Sequence, residues 1–325
     1  MKAYVIQNGE YQLKDVEQPD PESNQVIVRL RTAGLNHRDL MIKNRVGNQE
    51  GYYILGSDGA GVIEQVGVKA KHFKVGEEVI INPGLNWYHN SEAPPKDFEI
   101  VGVPYNGTFA EYILISEDFI ERKPTHLNWQ EAGVFALSAL TGFRALFTQG
   151  QIKKGETLFI PGVGGGVSSF IIQMAKAVGA RVITTSRNPD KLKQAEQLGF
   201  DRGIGTEDNW QAALVDEQID LVIESIGGST FNRSLEVLKK GGRIVTFGSS
   251  TNDEMTFNLR SFFYGQYKMI GSTMGSKEEL QQLIAFSEKH NIKPMLDRGY
   301  NLDEIDQAFT YLASQNQLGK LYVNI

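Results

Sequence analysis

The chain of 325 residues contains no cysteine. Disulfides, thiolate nucleophiles, cysteine-ligated zinc and iron–sulfur clusters are therefore excluded. Long apolar runs are missing too. The longest, Val134 to Phe143, is far short of the roughly 20 residues of a membrane-spanning helix, so no membrane partner is expected. Near the N-terminus Gln7, Asn8 and Glu10 stand where a secretory signal needs an apolar core, and a cytoplasmic location is expected. Nor is there an excess of positive charge: 33 Lys+Arg against 39 Asp+Glu leave a formal net charge of −6, so no nucleic-acid partner is expected. What the chain has in quantity is glycine, 34 residues, which marks tight turns and places where backbone approaches another group closely. At about 100–200 residues per domain, two domains are expected.

The first third reads as short strands punctuated by Gly, Pro and Asn: Met1–Ile6, Gln25–Ala33, Gly61–Val66, Glu78–Asn82 and Thr108–Ser116. Val26, Val28 and Leu30 alternate with Arg29 and Arg31, the pattern of a half-buried strand, and this half is expected to be a β-barrel or compact sandwich. Gly84–Gly107 reads as a long loop. Asn128 and Glu131 stand at capping-box spacing and open a helix. From Gly155 strand and helix take turns. Thr157–Ile160, Arg181–Ser186, Asp220–Glu224, Arg243–Gly248 and Met269–Ser272 read as strands; Val167–Val178, Pro189–Leu198, Trp210–Val215 and Phe231–Leu238 read as helices. Such alternation means a doubly wound parallel sheet, so the fold class is α/β. Helices Lys277–His290 and Leu302–Ser314 and a strand Lys320–Ile325 follow, and this last segment is expected to rejoin the first domain. The expected limits are 1–135, 136–272 and 273–325.

Between the first strand of the α/β unit and its first helix lies Pro161-Gly162-Val163-Gly164-Gly165-Gly166-Val167. Glycine there lets backbone approach a pyrophosphate, whose charge sits on the N–H groups of the helix N-terminus. The strict G-x-G-x-x-G spacing is not met, so position gives the loop its weight. Gly162, Gly164, Gly165, Gly166 and Val167 are the expected phosphate-binding residues of a dinucleotide cofactor. At the end of the second strand, where an NAD site places an acid, the sequence reads Thr185-Ser186-Arg187, with Lys191 one helical turn beyond. A carboxylate repels a 2′-phosphate, whereas Ser186, Arg187 and Lys191 can hold one, so the expected cofactor is NADP(H).

Five segments carry a resemblance over essentially the whole chain: Gly34-Leu35-Asn36-His37-Arg38-Asp39-Leu40, Leu55-Gly56-Ser57-Asp58-Gly59-Ala60-Gly61-Val62-Ile63, Phe73-Lys74-Val75-Gly76-Glu77-Glu78-Val79, Gly107-Thr108-Phe109-Ala110-Glu111-Tyr112 and Gly241-Gly242-Arg243-Ile244-Val245. In these the chain resembles the medium-chain dehydrogenase/reductase superfamily, and within it the zinc-free, quinone-oxidoreductase-like group. The resemblance implies a GroES-like β-barrel domain and a Rossmann domain. The catalytic-metal positions of the zinc alcohol dehydrogenases would fall at Asn36, Ser57 and Leu137, a set that cannot hold zinc. That family's structural-zinc cysteines would fall around Gly84–Gly107, which has none. The histidines His37, His72, His89, His126 and His290 show no ligand spacing, so no metal is expected. By the same resemblance Thr141, Phe247, Gly248, Ser249, Gly271 and Ser272 should approach the nicotinamide half, Lys320 should lie near the cofactor, and a homodimer should form through Tyr267–Ser272.

Without a Lewis acid, simple alcohol oxidation loses its activation. Quinones and conjugated enones need less help, because hydride addition places charge on an oxygen already delocalised. The expected activity is NADPH-dependent reduction of a quinone or α,β-unsaturated carbonyl compound, a small-molecule substrate. The alternatives are a zinc-independent alcohol or aldehyde oxidoreductase and an NADPH-binding protein without turnover. Asn36 is expected to donate a hydrogen bond near the substrate oxygen, Asp39 to orient the Asn36 loop, and Tyr105 or Tyr88 to be the proton donor. His37, beside Asn36, is the histidine with the strongest case for a role.

Overall fold

Along the strand Gln25–Gly34, Val26, Val28 and Leu30 are buried while Arg29 and Arg31 reach solvent. Burying each such aliphatic side chain is worth about 1.5–3 kcal/mol, which sets the register of the sheet built on this strand. The computed structural model describes residues 1–43 and 51–325. They divide into two units, Met1–Ser138 with Gly275–Ile325, and Ala139–Met274.

In the first unit the order across the main sheet is Ile120–Arg122, Glu78–Ile81, Asp58–Val66, Gln25–Gly34, Lys320–Asn324 and Leu296–Asn301. Tyr112–Ser116 also pairs with the first half of Gln25–Gly34. The final strand Lys320–Asn324 runs antiparallel to the second half, with Tyr322 opposite Gly34. Val26, Val28, Leu30, Ile63, Val79 and Ile81 form the core beneath. Gly84–Gly107 is not the unbroken loop expected. It holds a small sheet of Gly84–Leu85, Glu99–Val101 and Pro104–Tyr105, strands too short to show a period. The hairpin strand Glu10–Asp15 and the strand Leu296–Asn301 were likewise not expected. The first is mostly polar and exposed, and the second buries only Tyr300.

The second unit is one six-stranded, all-parallel sheet. Its order is Arg202–Gly205, Arg181–Ser186, Thr157–Ile160, Ile219–Glu224, Leu238–Thr246 and Lys268–Gly271, which is 3-2-1-4-5-6 by position in the chain. This is the doubly wound order of dinucleotide-binding sheets. Leu158, Phe159 and Ile160 are buried without alternation, as befits a central strand covered on both faces. Asn188 caps the helix Pro189–Gln194, which tightens to a 3₁₀ turn over Ala195–Leu198 and stops at Gly199. In the first unit Asn128 and Glu131 close a capping box on the helix Trp129–Gly133. In the first unit Ser276 and Glu279 do the same for Lys277–His290.

Candidate functional site

In the second unit all strands run the same way, so their carboxyl ends share one edge. Gly162, Ser186, Phe247–Ser249 and Gly271–Ser272 all fall there, and ligands of such sheets bind at that edge. Gly162 holds φ at +84°, a conformation glycine adopts freely. Its N–H donates to Thr185 Oγ1 at 3.1 Å and the Val163 N–H to Thr185 O at 2.9 Å. These bonds anchor the loop to the second strand. The helix Gly166–Ala177 then begins with Gly165 as its cap, which has no side chain to satisfy the first-turn N–H groups. Those donors and the positive end of the helix suit a phosphate.

At the end of the second strand the Ser186 hydroxyl donates to Asn188 O at 2.8 Å and accepts from Asn188 N at 3.1 Å. Arg187 is exposed and Lys191 half-buried, one helical turn apart. Ser272 Oγ, just past the sixth strand, is buried and has no hydrogen-bond partner. A hydroxyl left that way costs about 1–3 kcal/mol, which a ligand bond can recover. Thr141 is buried on the helix Ala136–Phe143.

Sequence reasoning missed Glu224. It is fully buried at the end of the fourth strand, where its carboxylate accepts from Ile226 N at 2.7 Å, Gly227 N at 3.3 Å, Thr230 Oγ1 at 3.0 Å and Ser234 Oγ at 2.9 Å. Burial pushes its pKa up, and these four donors oppose the rise. The carboxylate shapes the 225–230 loop at the same sheet edge. An acid closing the apolar run Leu221–Ile223, followed by Gly227 and Gly228, was the available signal.

The first unit holds a buried polar cluster around Asn36. The Asn36 N–H donates to Asp39 Oδ2 at 2.8 Å, which starts the 3₁₀ turn His37–Met41. Its side-chain Nδ2 donates to Asp58 Oδ2 at 2.9 Å and, at 3.4 Å, to Gly34 O. Its Oδ1 accepts from Lys320 Nζ at 2.6 Å and from Ser138 Oγ at 3.3 Å. Asp58 Oδ1 accepts from Leu137 N at 2.7 Å. One expectation changes here. Both hydrogens of the Asn36 amide are directed inward, so that group does not offer the substrate the donor expected of it. Lys320 is buried in the first unit with its ammonium on Leu35 O, Asn36 Oδ1 and Ser138 Oγ.

Asp39 is buried as well, and desolvation pushes its carboxyl from 3.8 up to about 6, against the pull of Arg38, the Asn36 N–H and Lys320. His37 is exposed on the same turn, and partial desolvation lowers its imidazole pKa below the ordinary value. Tyr105 is half exposed on the small sheet. Tyr88 is also exposed, with its ring against Phe119, and desolvation raises its phenol pKa.

The positions that the resemblance assigns to a catalytic metal do not fit zinc. Leu137 supplies no donor atom. The Asn36 carboxamide oxygen already accepts from a cation. Ser57 Oγ accepts from Arg38 Nη1 and donates to Val101 O at 2.6 Å. A dication would lack a tetrahedral donor set and would face both Lys320 and Arg38. Among the described residues no cluster of three or more His, Asp or Glu is placed to hold a metal, and no helix is long and apolar enough to cross a membrane.

Two family models match the chain. Residues 22–125 match the model of the alcohol dehydrogenase GroES-like domain, and residues 166–289 the model described as zinc-binding dehydrogenase. An acryloyl-coenzyme A reductase of Sulfurisphaera tokodaii is 30% identical, over 99% of this chain and 99% of that protein. The chain belongs to the medium-chain dehydrogenase/reductase superfamily. It is an oxidoreductase of that superfamily, which binds a nicotinamide cofactor, and its units are a GroES-like domain and a Rossmann-type domain. Within the superfamily, human quinone oxidoreductase is 27% identical over 90% of this chain and 87% of its own length. A crystal structure of an NAD-dependent alcohol dehydrogenase superposes with a TM-score of 0.93 at 30% identity, covering 100% of both chains.

Proposed function

We propose that this oxidoreductase uses NADPH to reduce quinones or α,β-unsaturated carbonyl compounds without a zinc ion. The observation that carries the reading is the state of the three metal positions: one has no donor, and the other two are engaged by Lys320 and Arg38. An acceptor whose oxygen is already conjugated suits a site that lacks a Lewis acid. The names of two relatives, an acryloyl-coenzyme A reductase and a quinone oxidoreductase, belong to this chemistry. The nicotinamide, when bound, supplies the hydride.

Gly162 and Gly164–Val167 hold the pyrophosphate. Thr141, Phe247–Ser249 and Gly271–Ser272 hold the nicotinamide half, where Ser272 Oγ gains the partner it lacks. Ser186, Arg187 and Lys191 hold the 2′-phosphate through charge-assisted bonds. His37 and Tyr105, both exposed polar groups, are the donors for the substrate oxygen and for the proton that completes reduction. The Asp39 carboxylate orients the turn that carries His37. Among the described residues the edge strand Lys268–Gly271 has a neighbour on one side only, and Met269, Phe263 and Tyr264 are exposed there; this supports a homodimer through Tyr267–Ser272.

The test is steady-state consumption of NADPH and of NADH with a panel of quinones and enones, set against simple alcohols with NADP. Turnover of the conjugated acceptors with NADPH supports the proposal. Turnover of alcohols alone favours a zinc-independent alcohol oxidoreductase, and tight NADPH binding with no turnover favours a binding protein.

A further inference from the structure

Lys320 opens the final strand, and the backbone is shaped to deliver it inward. Gly319 holds φ at +97°, and a Cβ there would stand 2.2 Å from Met295 O, so only glycine fits. The ammonium then meets Leu35 O at 2.8 Å, Asn36 Oδ1 at 2.6 Å and Ser138 Oγ at 3.1 Å, with Asp58 Oδ2 at 3.5 Å as its counter-charge. An ammonium has three hydrogens, and three short bonds use them.

The effect on Asn36 is specific. Its Oδ1 faces the Lys320 cation while its Nδ2 faces the Asp58 carboxylate. Flipping the amide would set an N–H against the ammonium and the carbonyl oxygen against the carboxylate, so the orientation is fixed from both sides. Leu35 O is gripped by the same cation, and the next backbone bond, Asn36 N to Asp39 Oδ2, begins the turn that presents His37. Four segments distant in the chain, around residues 36, 58, 138 and 320, thus meet at one charge. A plain tether would not need it: well-packed apolar groups in place of a buried ion pair are often as stable or more so.

We propose that Lys320 is a positioning residue: a resident cation that locks the Asn36 amide and the Asn36–Met41 turn, and through that turn sets the placement of His37 for reduction. Its catalytic consequence rests on the function proposed above, whereas the ordering of the turn does not.

The test uses the full chain with Lys320→Met and the double variant Lys320→Met/Asp58→Asn, which removes both charges of the Lys320–Asp58 pair. The double variant should recover most of the thermal stability lost by Lys320→Met. Its turnover number should still be down by about a hundredfold, the scale of a small misplacement at a reacting centre. Its affinity for NADPH, bound by the other unit, should stay within about twofold of the parent, so that kcat and not cofactor binding carries the loss. Hydrogen exchange of residues 35–41 should quicken by about tenfold in the same variant, with unit Ala139–Met274 unchanged. A double variant with the parent's turnover, or with unchanged exchange at 35–41, overturns the proposal. If the parent protein reduces no quinone or enone, the function proposed above fails, and the exchange measurement alone decides the role of Lys320.

Discussion

Asp39 lies buried between an amide that needs its carboxylate and a core that disfavours its charge, and replacing it with asparagine separates the two effects. In the folded chain the carboxyl is pushed from 3.8 to about 6. A raised pKa in an acid means that the fold prefers the protonated form. The stabilisation from protonated Asp39 is complete below pH 3.8, fades as pH rises through 6, and is gone at neutrality. At about 1.4 kcal/mol per pH unit, the gap corresponds to about 3 kcal/mol between the two forms. A carboxamide at this position would keep an oxygen for the Asn36 N–H and would never ionise. Asp39→Asn should therefore gain stability relative to the parent as pH rises from about 4 to 7, by up to about 3 kcal/mol, and hold a constant difference above that. Denaturant unfolding of both proteins across this range measures the difference directly, with the titration of all other groups cancelling. A difference that is flat with pH, or one in which Asp39→Asn loses ground as pH rises, would mean that the fold does not favour protonated Asp39.

Two further outcomes follow from the second unit. Arg187→Glu should weaken NADPH binding by roughly ten- to a hundredfold, the worth of a charge-assisted bond, while leaving NADH binding nearly unchanged. Fluorescence titration of both nucleotides reads this, and equal losses for the two would remove Arg187 from the 2′-phosphate site. Met269→Lys places a charge on the free edge strand Lys268–Gly271 and should convert a dimer to a monomer in sedimentation equilibrium. A parent protein that is itself monomeric would contradict the assembly.

Much of the second unit was legible because its signals are local. Asn188, Pro189 and Gly199 bracket a helical segment by capping chemistry alone, and the buried run Leu158–Ile160 marks a central strand. The strand Arg202–Gly205 was not legible, since two of its four residues are glycine and it is paired only by tertiary context. The small sheet within 84–107 was hidden by strands of two and three residues. Of the proposed cofactor residues, Gly162 and Ser186 follow from where the first two strands of the α/β unit end, and Phe247–Ser249 and Gly271–Ser272 from the resemblance. The cluster around Asn36 was not legible, because its members come from positions 36, 58, 138 and 320. A lysine on a terminal strand gives no sign in sequence that its ammonium is buried. Nor does an asparagine side chain show which way its amide points, and that direction is why the donor role is proposed for His37 and Tyr105 rather than Asn36.

In the proposed reaction NADPH supplies the hydride to a conjugated acceptor, and this chain's own residues bind and protonate that acceptor with no metal ion. Its most direct test is the rate of NADPH oxidation with a quinone or an enone before and after exhaustive chelation, with zinc then added back. The rate should be the same in all three states, with no stoichiometric zinc taken up by the protein. A rate that falls on chelation and returns with zinc would contradict it.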